Sequence, residues 1–527
     1  MSEQLNVLRK RIRILQLNLG KSKDAQLELI NRDLSNYCDI ILAQEPYISP
    51  LNHIPSPSNF RPVIPETRMD ATKGPVRSAI WVSANLDTNQ WDPLGGIGSN
   101  DVTAIRLKND NLRIAIFNVY NDCNNDESLT SLDAYHDKFK LDLTGLDDDH
   151  LIWAGDFNRH HPLWDDERET RLFSAKATDD AHRLIDLIGR WDLDFALPKS
   201  EGPTLQHKVT KSFSRPDLVL CSHHSLPLFV SCCVVADEKP THTDHYPIAY
   251  ELDVHEGIAT AKVELSFNFQ ATDWESFNRT LESELNPQHL HDQLANADDL
   301  EASVERLTRA IQHAIYTDAK RNKPRPNSKR WWNNDLSRMT KELKELRRVK
   351  VRNRALPDHP IHRELSEKEE RFAEAVHEAK SNHWWEFLEN AMDKDVWSAN
   401  KYASEPITDG GKPRIPALKI KLPSGSQSEV NTNEEKAKAL ADSFFPKRPA
   451  LSSVPSNFCY PQPMDDPLPI DEDRIRRHIA ALSPFKVPGP DGIPNVVLQR
   501  CADLLISIST ADLPSYPHAE HLPQILE

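Results

Sequence analysis

Several polar residues in the first half of the chain follow apolar stretches, at the points where predicted strands end. Asn18 ends one such stretch, Glu45 ends the next, and Asp156 with Asn158 closes the run LIWAGDFN. In α/β folds, side chains at strand ends line a crevice at one edge of the sheet. We therefore expect these residues to converge on one site. The further candidates in the same half of the chain are Tyr120, Asp217, Asp244 and His245.

These residue types together suit the hydrolysis of a phosphate ester. Carboxylate and amide oxygens are the hard ligands that Mg²⁺ prefers. An aspartate can orient or deprotonate an attacking water, and an amide can donate to the developing negative charge. A histidine held by a carboxylate can neutralise a phosphoryl oxygen when charged, or act as a base when neutral. The set favours metal-assisted phosphodiester hydrolysis.

Each residue alone is weak support for this chemistry, because a lone Glu at a strand end is usually a solvated surface residue. The run GDFN is stronger. Gly155 permits a close approach of the backbone, and Asp156 and Asn158, two residues apart on a strand, point to the same face.

The elements that must position these residues are short strands with few helices between them. The predicted strands are 11–19, 39–45, 78–83, 102–107, 112–120, 150–157, 217–221 and 246–252, and one helix is predicted over 24–37. This pattern favours a layered α/β sandwich over a doubly wound sheet.

The motifs LNLG (17–20), QEP (44–46), FNVY (117–120), GDFN (155–158), SRPDLVL (214–220) and TDHYPI (243–248) occur in a fixed order. This series resembles the endonuclease/exonuclease/phosphatase superfamily over nearly all of residues 11–253. The longer run GDFNRHHPLWDD (155–166) is similar to the endonuclease domain of non-LTR (LINE-type) retrotransposon polyproteins. His160, His161 and Trp164 carry that distinction, and we expect the two histidines to make local turn contacts rather than to act in catalysis.

The resemblance implies a four-layer α/β sandwich and a role for each matching residue. Glu45 is the implied principal Mg²⁺ ligand, with Asn18 beside it, Asp244 near the metal, and Mn²⁺ as a substitute ion. Asp156 would orient the attacking water and Asn158 would stabilise the oxyanion.

The resemblance also implies how the phosphate is bound. Tyr120 and His245 would contact it, and Asp217 would orient His245. Thr204 matches a family threonine only loosely.

The chain divides into four predicted regions: a nuclease domain (1–255), a helical and partly basic region (256–402), a loop-rich linker (403–470), and a reverse-transcriptase-like fragment (471–527). The stretch Lys320 to Arg354 holds fourteen Lys or Arg residues against three acidic ones, and with Trp331 and Trp332 it could bind element RNA. A solvated helix with packed tryptophans is an equal alternative.

The sequence ALSPFKVPGPDGIPNVVLQRCADLL (481–505) resembles the opening of a reverse-transcriptase domain. No Y/F-x-DD turn follows it, and the Asp465-Asp466 pair lies upstream in a Pro-rich stretch. Polymerase chemistry needs two metal-binding aspartates. We therefore expect no reverse-transcriptase activity from this chain.

Length and composition limit the other classes. With 527 residues the chain has room for several domains. A mean hydropathy of -0.60 and the absence of a signal-like start predict neither membrane insertion nor secretion. Seven cysteines without a CxxC pair favour an intracellular reducing compartment, nuclear or cytoplasmic.

The net charge of -16 has the wrong sign for a DNA-binding protein, so binding to a DNA duplex requires a local basic patch. The candidates for such a patch are Arg159, Arg168, Arg171, Lys208, Lys211 and Arg215.

The favoured function is a Mg²⁺-dependent DNA endonuclease that nicks one strand and leaves a 3'-OH, as in target-primed retrotransposition. One alternative is an abasic-site repair nuclease or a phosphatase of the same superfamily. Another is an inactive, nucleic-acid-binding remnant of a retroelement.

Overall fold

The computed structural model describes residues 8–32, 34–109, 111–141, 150–259, 267–285, 297–321, 331–356, 358–391, 399–400, 408–412, 414–415, 418–421, 427–430, 432–445, 472–486, 488–489 and 491–506. Contacts group these residues into two compact units. The first comprises 1–263 with 325–447, and the second comprises 264–324 with 448–527.

The first unit contains two six-stranded mixed sheets. One sheet has the order β13-β14-β1-β2-β4-β3, with β1 (Leu8–Asn18), β2 (Ile40–Gln44), β3 (Phe60–Val63), β4 (Ser78–Ser83), β13 (Phe229–Val234) and β14 (Ile248–Ala259). The other has the order β5-β6-β7-β8-β12-β9, with β5 (Trp91–Leu94), β6 (Val102–Lys108), β7 (Arg113–Tyr120), β8 (His150–Asp156), β9 (Leu193–Phe195) and β12 (Asp217–Ser222). A small hairpin, β10 (Leu205–Gln206) and β11 (Phe213–Ser214), stands apart from both sheets.

The core of this unit has three apolar layers, which separate two sheets and their covering helices. Residues such as Ile14, Leu42, Ile116 and Ile152 fill the space between the two sheets. The outer face of the second sheet is covered by α3 (Glu127–Leu141) and α4 (Ala175–Arg190). The outer face of the first is covered by α1 (Lys23–Ile30), followed by α2 (Leu34–Tyr37). The predicted four-layer α/β sandwich is confirmed, and below "the sandwich" means residues 8–259.

The predicted helix over 24–37 is wrong in one respect, because the chain forms α1 and α2 instead of one helix. Asn31 caps the end of α1. Its N–H makes the helical bond to the Leu27 carbonyl, but the Arg32 N–H donates to Leu29, only three residues back, so the regular helical hydrogen bonds end there.

Further elements of the first unit follow the sandwich in sequence. They are α7 (Asn334–Arg352), α8 (Ile361–Glu389), β15 (Leu418–Lys421), β16 (Gln427–Val430) and α9 (Asn433–Phe444). The α7–α8 hairpin has its own small core, which includes Leu343 and Phe372, with Trp331 and Trp332 packed against it. The tryptophan pair thus takes part in packing.

The second unit contains α5 (Trp274–Glu284), α6 (Ala297–Asp318), α10 (Glu472–Ala481) and α11 (Asn495–Arg500). Its core joins α5 and α6 to residues 493–505, including Phe277, Ile311 and Val497. Asp465 and Asp466 lie outside the described residues. Among the described helices, none combines the length and the apolar character that a membrane crossing requires.

Candidate active site

The pairing of the strands brings the predicted site residues to one edge of the two sheets. In the first sheet, β1 and β2 are parallel with Asn18 opposite Gln44, so Glu45 follows directly at the strand end. In the second sheet, parallel pairing puts Tyr120 opposite Asp156, and antiparallel pairing puts Asp156 opposite Asp217. Side chains separated by more than 200 residues in sequence therefore meet at this edge.

A chain of contacts links four of the predicted residues, all of which are buried. Asn18 Nδ2 donates to Asp156 Oδ2 at 2.7 Å. His245 Nε2 lies 3.9 Å from the same oxygen. On its other side, His245 Nδ1 contacts both oxygens of Asp217, at 2.8 and 3.1 Å. The imidazole is therefore held by one carboxylate and directed at another.

Burial and charge set the protonation of this group. Burial, reinforced by the negative charge of Asp217, raises the pKa of Asp156, and the charge of His245 and the bond from Asn18 only partly offset this. Burial alone would lower the pKa of His245. The attraction and hydrogen bond of Asp217 outweigh burial, so the pKa of His245 is raised. His245 is accordingly a cation near neutral pH, beside a carboxylate that accepts a proton unusually easily.

Glu45 occupies a constrained backbone position next to this group. Its φ is +44°, a value that non-glycine residues rarely adopt. Its carboxylate lies 3.0 Å from Lys21 Nζ. Burial, followed by the nearby charges of Glu45 and Asp156, raises the pKa of Tyr120. Glu45 and Asp156 therefore both face the Tyr120 hydroxyl.

Arg77 supports Glu45 and Tyr120 together, and sequence reasoning missed it. Its carbonyl accepts from the Glu45 N–H at 2.9 Å, and its guanidinium lies 4.7 Å from the centre of the Tyr120 ring. Its Nε and Nη2 donate to the two Asp101 oxygens, each at 2.7 Å. The available signal was a lone arginine directly before the apolar strand SAIWVS.

Asn158 and Asp244 also lie at this edge. The Asn158 backbone N–H donates to Asp156 Oδ1 at 3.1 Å, while its Nδ2 donates to the Asn121 carbonyl at 2.8 Å. Asn158 has a φ of +48° and so forms the turn that closes the GDFN motif. Asp244 is half-buried, and its charge helps to raise the pKa of His245.

Two threonines contact the backbone of the residues in this contact chain. Buried Thr204 accepts the Asp217 N–H at its Oγ1, at 3.2 Å. Buried Thr243 Oγ1 donates to the Asn18 carbonyl at 2.8 Å and accepts the His245 N–H at 3.3 Å. Thr204 therefore fixes Asp217, and Thr243 connects His245 to β1.

Asn118 ties the two sheets together beneath the site. Its side chain is fully buried on β7, and its Nδ2 donates to the carbonyls of Ala43 on β2 and Ala79 on β4, at 3.0 and 2.9 Å. Its own carbonyl accepts from Ser78 Oγ at 2.8 Å. A satisfied polar bridge of this kind fixes the relative position of two sheets that otherwise meet through apolar contacts.

The HHPLWD segment forms a closed turn. Asp165 is buried and accepts from the His161 N–H and the Arg215 N–H, with His160 Nδ1 at 3.2 Å. Trp164 is also buried, and its Nε1 donates to the Arg159 carbonyl at 3.0 Å. Both histidines therefore lie in local turn contacts.

The predicted basic patch is wrong at two of its six positions. Arg159 and Arg215 are each only 3% exposed, and both donate to backbone carbonyls. Arg168 is exposed but paired with Asp166, and Arg171 is paired with Glu169. Lys208 and Lys211 remain exposed on the β10–β11 hairpin. Four of the six side chains are thus already bonded within the fold, because an arginine can donate to several carbonyls or carboxylates at once.

The donor set fits a divalent cation. In the described part of the chain, Asp156, Asp217 and His245 form a buried group whose ligand atoms lie within 4.8 Å of one another. Both oxygens of Asp217 contact His245, and both oxygens of Asp156 accept hydrogen bonds, from Asn18 and from the Asn158 N–H. Glu45, paired with Lys21, lies at the end of the neighbouring strand β2 and adds a third carboxylate to this edge. This excess of hard oxygen donors and negative charge suits Mg²⁺ or Mn²⁺.

Part of the chain is similar to known proteins. Residues 114–249 match a family described as "Endonuclease-reverse transcriptase". Among solved structures, the endonuclease domain of TRAS1, a telomere-specific non-LTR retrotransposon, is 22% identical, with a TM-score of 0.36 over 46% of this chain and 99% of that chain. No curated protein sequence matches the chain.

Two AP endonucleases are also similar over the same share of this chain. The enzyme LMAP from Leishmania major is 13% identical, with a TM-score of 0.32 over 46% of this chain and 88% of that chain. The enzyme from Archaeoglobus fulgidus is 16% identical, with a TM-score of 0.33 over 46% of this chain and 100% of that chain.

Two packed mixed sheets with an acidic, histidine-containing site at the strand ends define a nuclease-like α/β sandwich that can hold a metal ion. This sandwich includes residues 114–249, the segment that matches the "Endonuclease-reverse transcriptase" family, and it resembles an endonuclease/exonuclease/phosphatase domain.

Proposed function

We propose that the sandwich is a Mg²⁺-dependent endonuclease that hydrolyses phosphodiester bonds of duplex DNA. The observation that carries the proposal is the contact chain from Asn18 through Asp156 and His245 to Asp217. It pairs a proton-accepting carboxylate with a histidine held in one orientation, beside the carboxylate of Glu45. Such a set suits phosphoryl transfer, because it combines a water-orienting carboxylate with a charged donor for the phosphate.

Each residue has a defined part in this proposal. Asp156 orients the attacking water and takes its proton, which its raised pKa favours near neutral pH. His245, kept charged by Asp217, contacts a non-bridging phosphate oxygen and offsets the developing negative charge. Asn158 stabilises the same oxyanion, and Tyr120 contacts the phosphate.

Glu45 would hold the Mg²⁺, with Asn18 and Asp244 as further oxygen ligands and Mn²⁺ as a substitute ion. When bound, the cation acts as a Lewis acid on the phosphate and favours the leaving oxygen. Lys21 Nζ lies 3.0 Å from the Glu45 carboxylate and helps to hold its orientation. Asn18 donates to Asp156, so a residue that would bind the metal is hydrogen-bonded to the residue that would orient the water.

The proposed reaction nicks one strand and leaves a 3'-OH, the end that reverse transcription extends in non-LTR retrotransposition. The reverse-transcriptase-like sequence at 481–505 supports this assignment, because the two activities occur together in such polyproteins. RNA binding by Lys320 to Arg354 and an intracellular, nuclear or cytoplasmic location remain predictions.

Nicking of supercoiled plasmid by the purified full chain tests the proposal. We expect Mg²⁺-dependent conversion to the open circle, and a loss of at least about 100-fold in rate for Asp156→Asn and for His245→Ala. Asp179→Asn, an exposed change on α4, is the matched control. Undiminished nicking by both site variants would remove the assignment.

The product and the substrate separate the proposal from its alternatives. A DNA polymerase extends the nick only if the end is a 3'-OH. Equal turnover of intact and abasic duplexes supports a general endonuclease, whereas cleavage confined to abasic duplex indicates a repair nuclease. Salt-sensitive DNA binding without cleavage in Mg²⁺ or Mn²⁺ indicates an inactive remnant.

A further inference from the structure

The loop that carries His245 is anchored to the sandwich at its C-terminal end. This loop, residues 235–247, joins β13 to β14. Thr243 links it to the Asn18 carbonyl and to the His245 N–H, as described above. Thr243 therefore holds the backbone from which the His245 side chain extends.

Helix α7 holds the other end of the loop through charged contacts. Lys344 Nζ lies 2.6 Å from Glu238 Oε1, and Arg348 Nε donates to Asp237 Oδ2 at 3.0 Å. From the sandwich, Arg32 Nη1 donates to the Glu238 carbonyl at 2.6 Å. Glu238 is thus held between Arg32, which follows α1, and Lys344 of α7, and Asp237 is held by Arg348.

Arg347 makes the most buried of these contacts. It is 6% exposed, and its Nη2 donates to Thr241 Oγ1 at 3.4 Å and to Glu369 Oε1 of α8 at 3.0 Å. The Thr241 N–H donates to Glu28 Oε2 of α1 at 2.8 Å. A buried charge that loses its partners destabilises the fold, so displacement of Arg347 from this position would lower the free energy of unfolding.

Only His242 separates the two anchored threonines, and its φ is +72°. A non-glycine residue keeps this strained backbone conformation only when its surroundings impose it. Here the surroundings are Thr241, held by α1 and α7, and Thr243, held by β1. The conformation that delivers His245 to the site therefore depends on both anchors.

We propose that α7 is a positioning element of the active site: Lys344, Arg347 and Arg348 hold residues 237–241 and so keep His245 aligned between Asp217 and Asp156. The inference rests on the proposed function. It assigns part of the basic helix to an intramolecular role, and α7 lies outside the residues that match the family. Small displacements of a catalytic group are costly in rate, so loss of these contacts should act mainly on turnover.

The test reverses two charges of α7 in the full chain. The variant Lys344→Glu with Arg348→Glu turns both contacts with Asp237 and Glu238 into repulsions. We expect kcat for plasmid nicking to fall at least about tenfold, with KM and the melting temperature nearly unchanged. Adding Asp237→Lys should restore most of the rate, because it recreates an attraction at the same place. A merely stabilising role would lower the melting temperature and leave kcat unchanged.

The matched control is Lys341→Glu with Arg352→Glu, the same charge change at exposed positions of the same helix. It should nick at the wild-type rate. Wild-type nicking by the Lys344/Arg348 variant would overturn the proposal. Faster nicking would overturn it too, because α7 would then be inhibitory.

Hydrogen exchange of residues 235–247 gives a second readout that does not require activity. We expect faster exchange of these amides in the reversed variant, with the amides of β1 and β14 unchanged. If the wild-type chain does not nick DNA at all, the proposed function fails and the exchange comparison alone decides the inference. Unchanged exchange would then overturn it.

Discussion

The imidazole of His245 and the carboxylate of Asp217 form a buried pair in which Nδ1 contacts both carboxylate oxygens, at 2.8 and 3.1 Å. Asp217 therefore fixes the ring orientation and leaves Nε2 directed at Asp156. The pair joins β12 to the loop before β14, so it also connects the two sheets. Its consequences can be tested separately from those of the metal ligands.

Replacing Asp217 with Asn should leave the ring of His245 oriented but remove the negative charge that keeps the ring protonated. The neutral amide no longer raises the pKa of His245, so the imidazole loses its proton at a lower pH. We expect the nicking rate at neutral pH to fall by about 100-fold or more.

Asp194→Asn is the control for Asp217→Asn, because it changes an exposed Asp-His pair, with His223, near the other end of β12. It should nick at the wild-type rate. Equal rates for Asp217→Asn and wild type would contradict the role of the buried pair.

Glu45→Gln should change the metal requirement. The amide keeps the shape of the side chain but removes one negative charge from the ligand set. We expect the Mg²⁺ concentration for half-maximal nicking to rise by at least about tenfold, and chelation of the metal to abolish nicking in every variant. Titration of plasmid nicking with Mg²⁺ measures this, and an unchanged midpoint would argue against Glu45 as a ligand.

Gly155 should not tolerate a side chain. A Cβ at this position would lie 1.8 Å from the Val119 carbonyl oxygen on the neighbouring strand. We expect Gly155→Ala to lower the free energy of unfolding by about 2 kcal/mol or more, because strand backbone cannot yield cheaply.

Gly189→Ala is the control for Gly155→Ala, because it is a helical position with nothing within 4 Å of the added atom. It should be neutral or slightly stabilising. Urea denaturation of both variants would decide the comparison.

His136 should make stability depend on pH. Trp153 Nε1 donates to His136 Nε2, which requires a neutral ring, and burial lowers the pKa of His136 to about 4. The unfolded chain protonates this histidine near pH 6.5, so its contribution is complete above that value. It is lost as the pH falls from 6.5 towards 4, by about 3 kcal/mol in total.

Urea denaturation between pH 7 and pH 4 measures this effect as the difference in slope between wild type and His136→Gln. The glutamine variant should lose less stability over this interval. Parallel curves would contradict the assignment.

Arg414 should stabilise the sandwich from a distant part of the chain. Its guanidinium lies 4.6 Å from the centre of the Trp91 ring and donates to the carbonyls of Thr88 and Trp91, at 3.1 and 2.9 Å. We expect Arg414→Ala to cost about 1–3 kcal/mol in the free energy of unfolding. Lys412→Ala, at an exposed position of the same segment, should have little effect.

The sequence alone determined the strand ends and the residue types at them. Short apolar stretches mark β4 and β6, and the predicted strand 78–83 coincides with Ser78–Ser83. Asn18, Glu45 and Asp156 could be named because a polar residue directly after an apolar strand is visible in one dimension. The order of the motifs then indicated the superfamily, and with it the layered fold.

Only the tertiary structure decided how charge is distributed around that site. Arg159 and Arg215 were candidates for a basic patch, but both are buried and donate to carbonyls of other segments. Lys344, Arg347 and Arg348 contact the His245 loop. Arg77 likewise acquires its role from contacts with Glu45 and Tyr120. The sequence does not show whether a charged side chain faces solvent or pairs with a carboxylate that is distant in the chain. Only folding brings such a pair together.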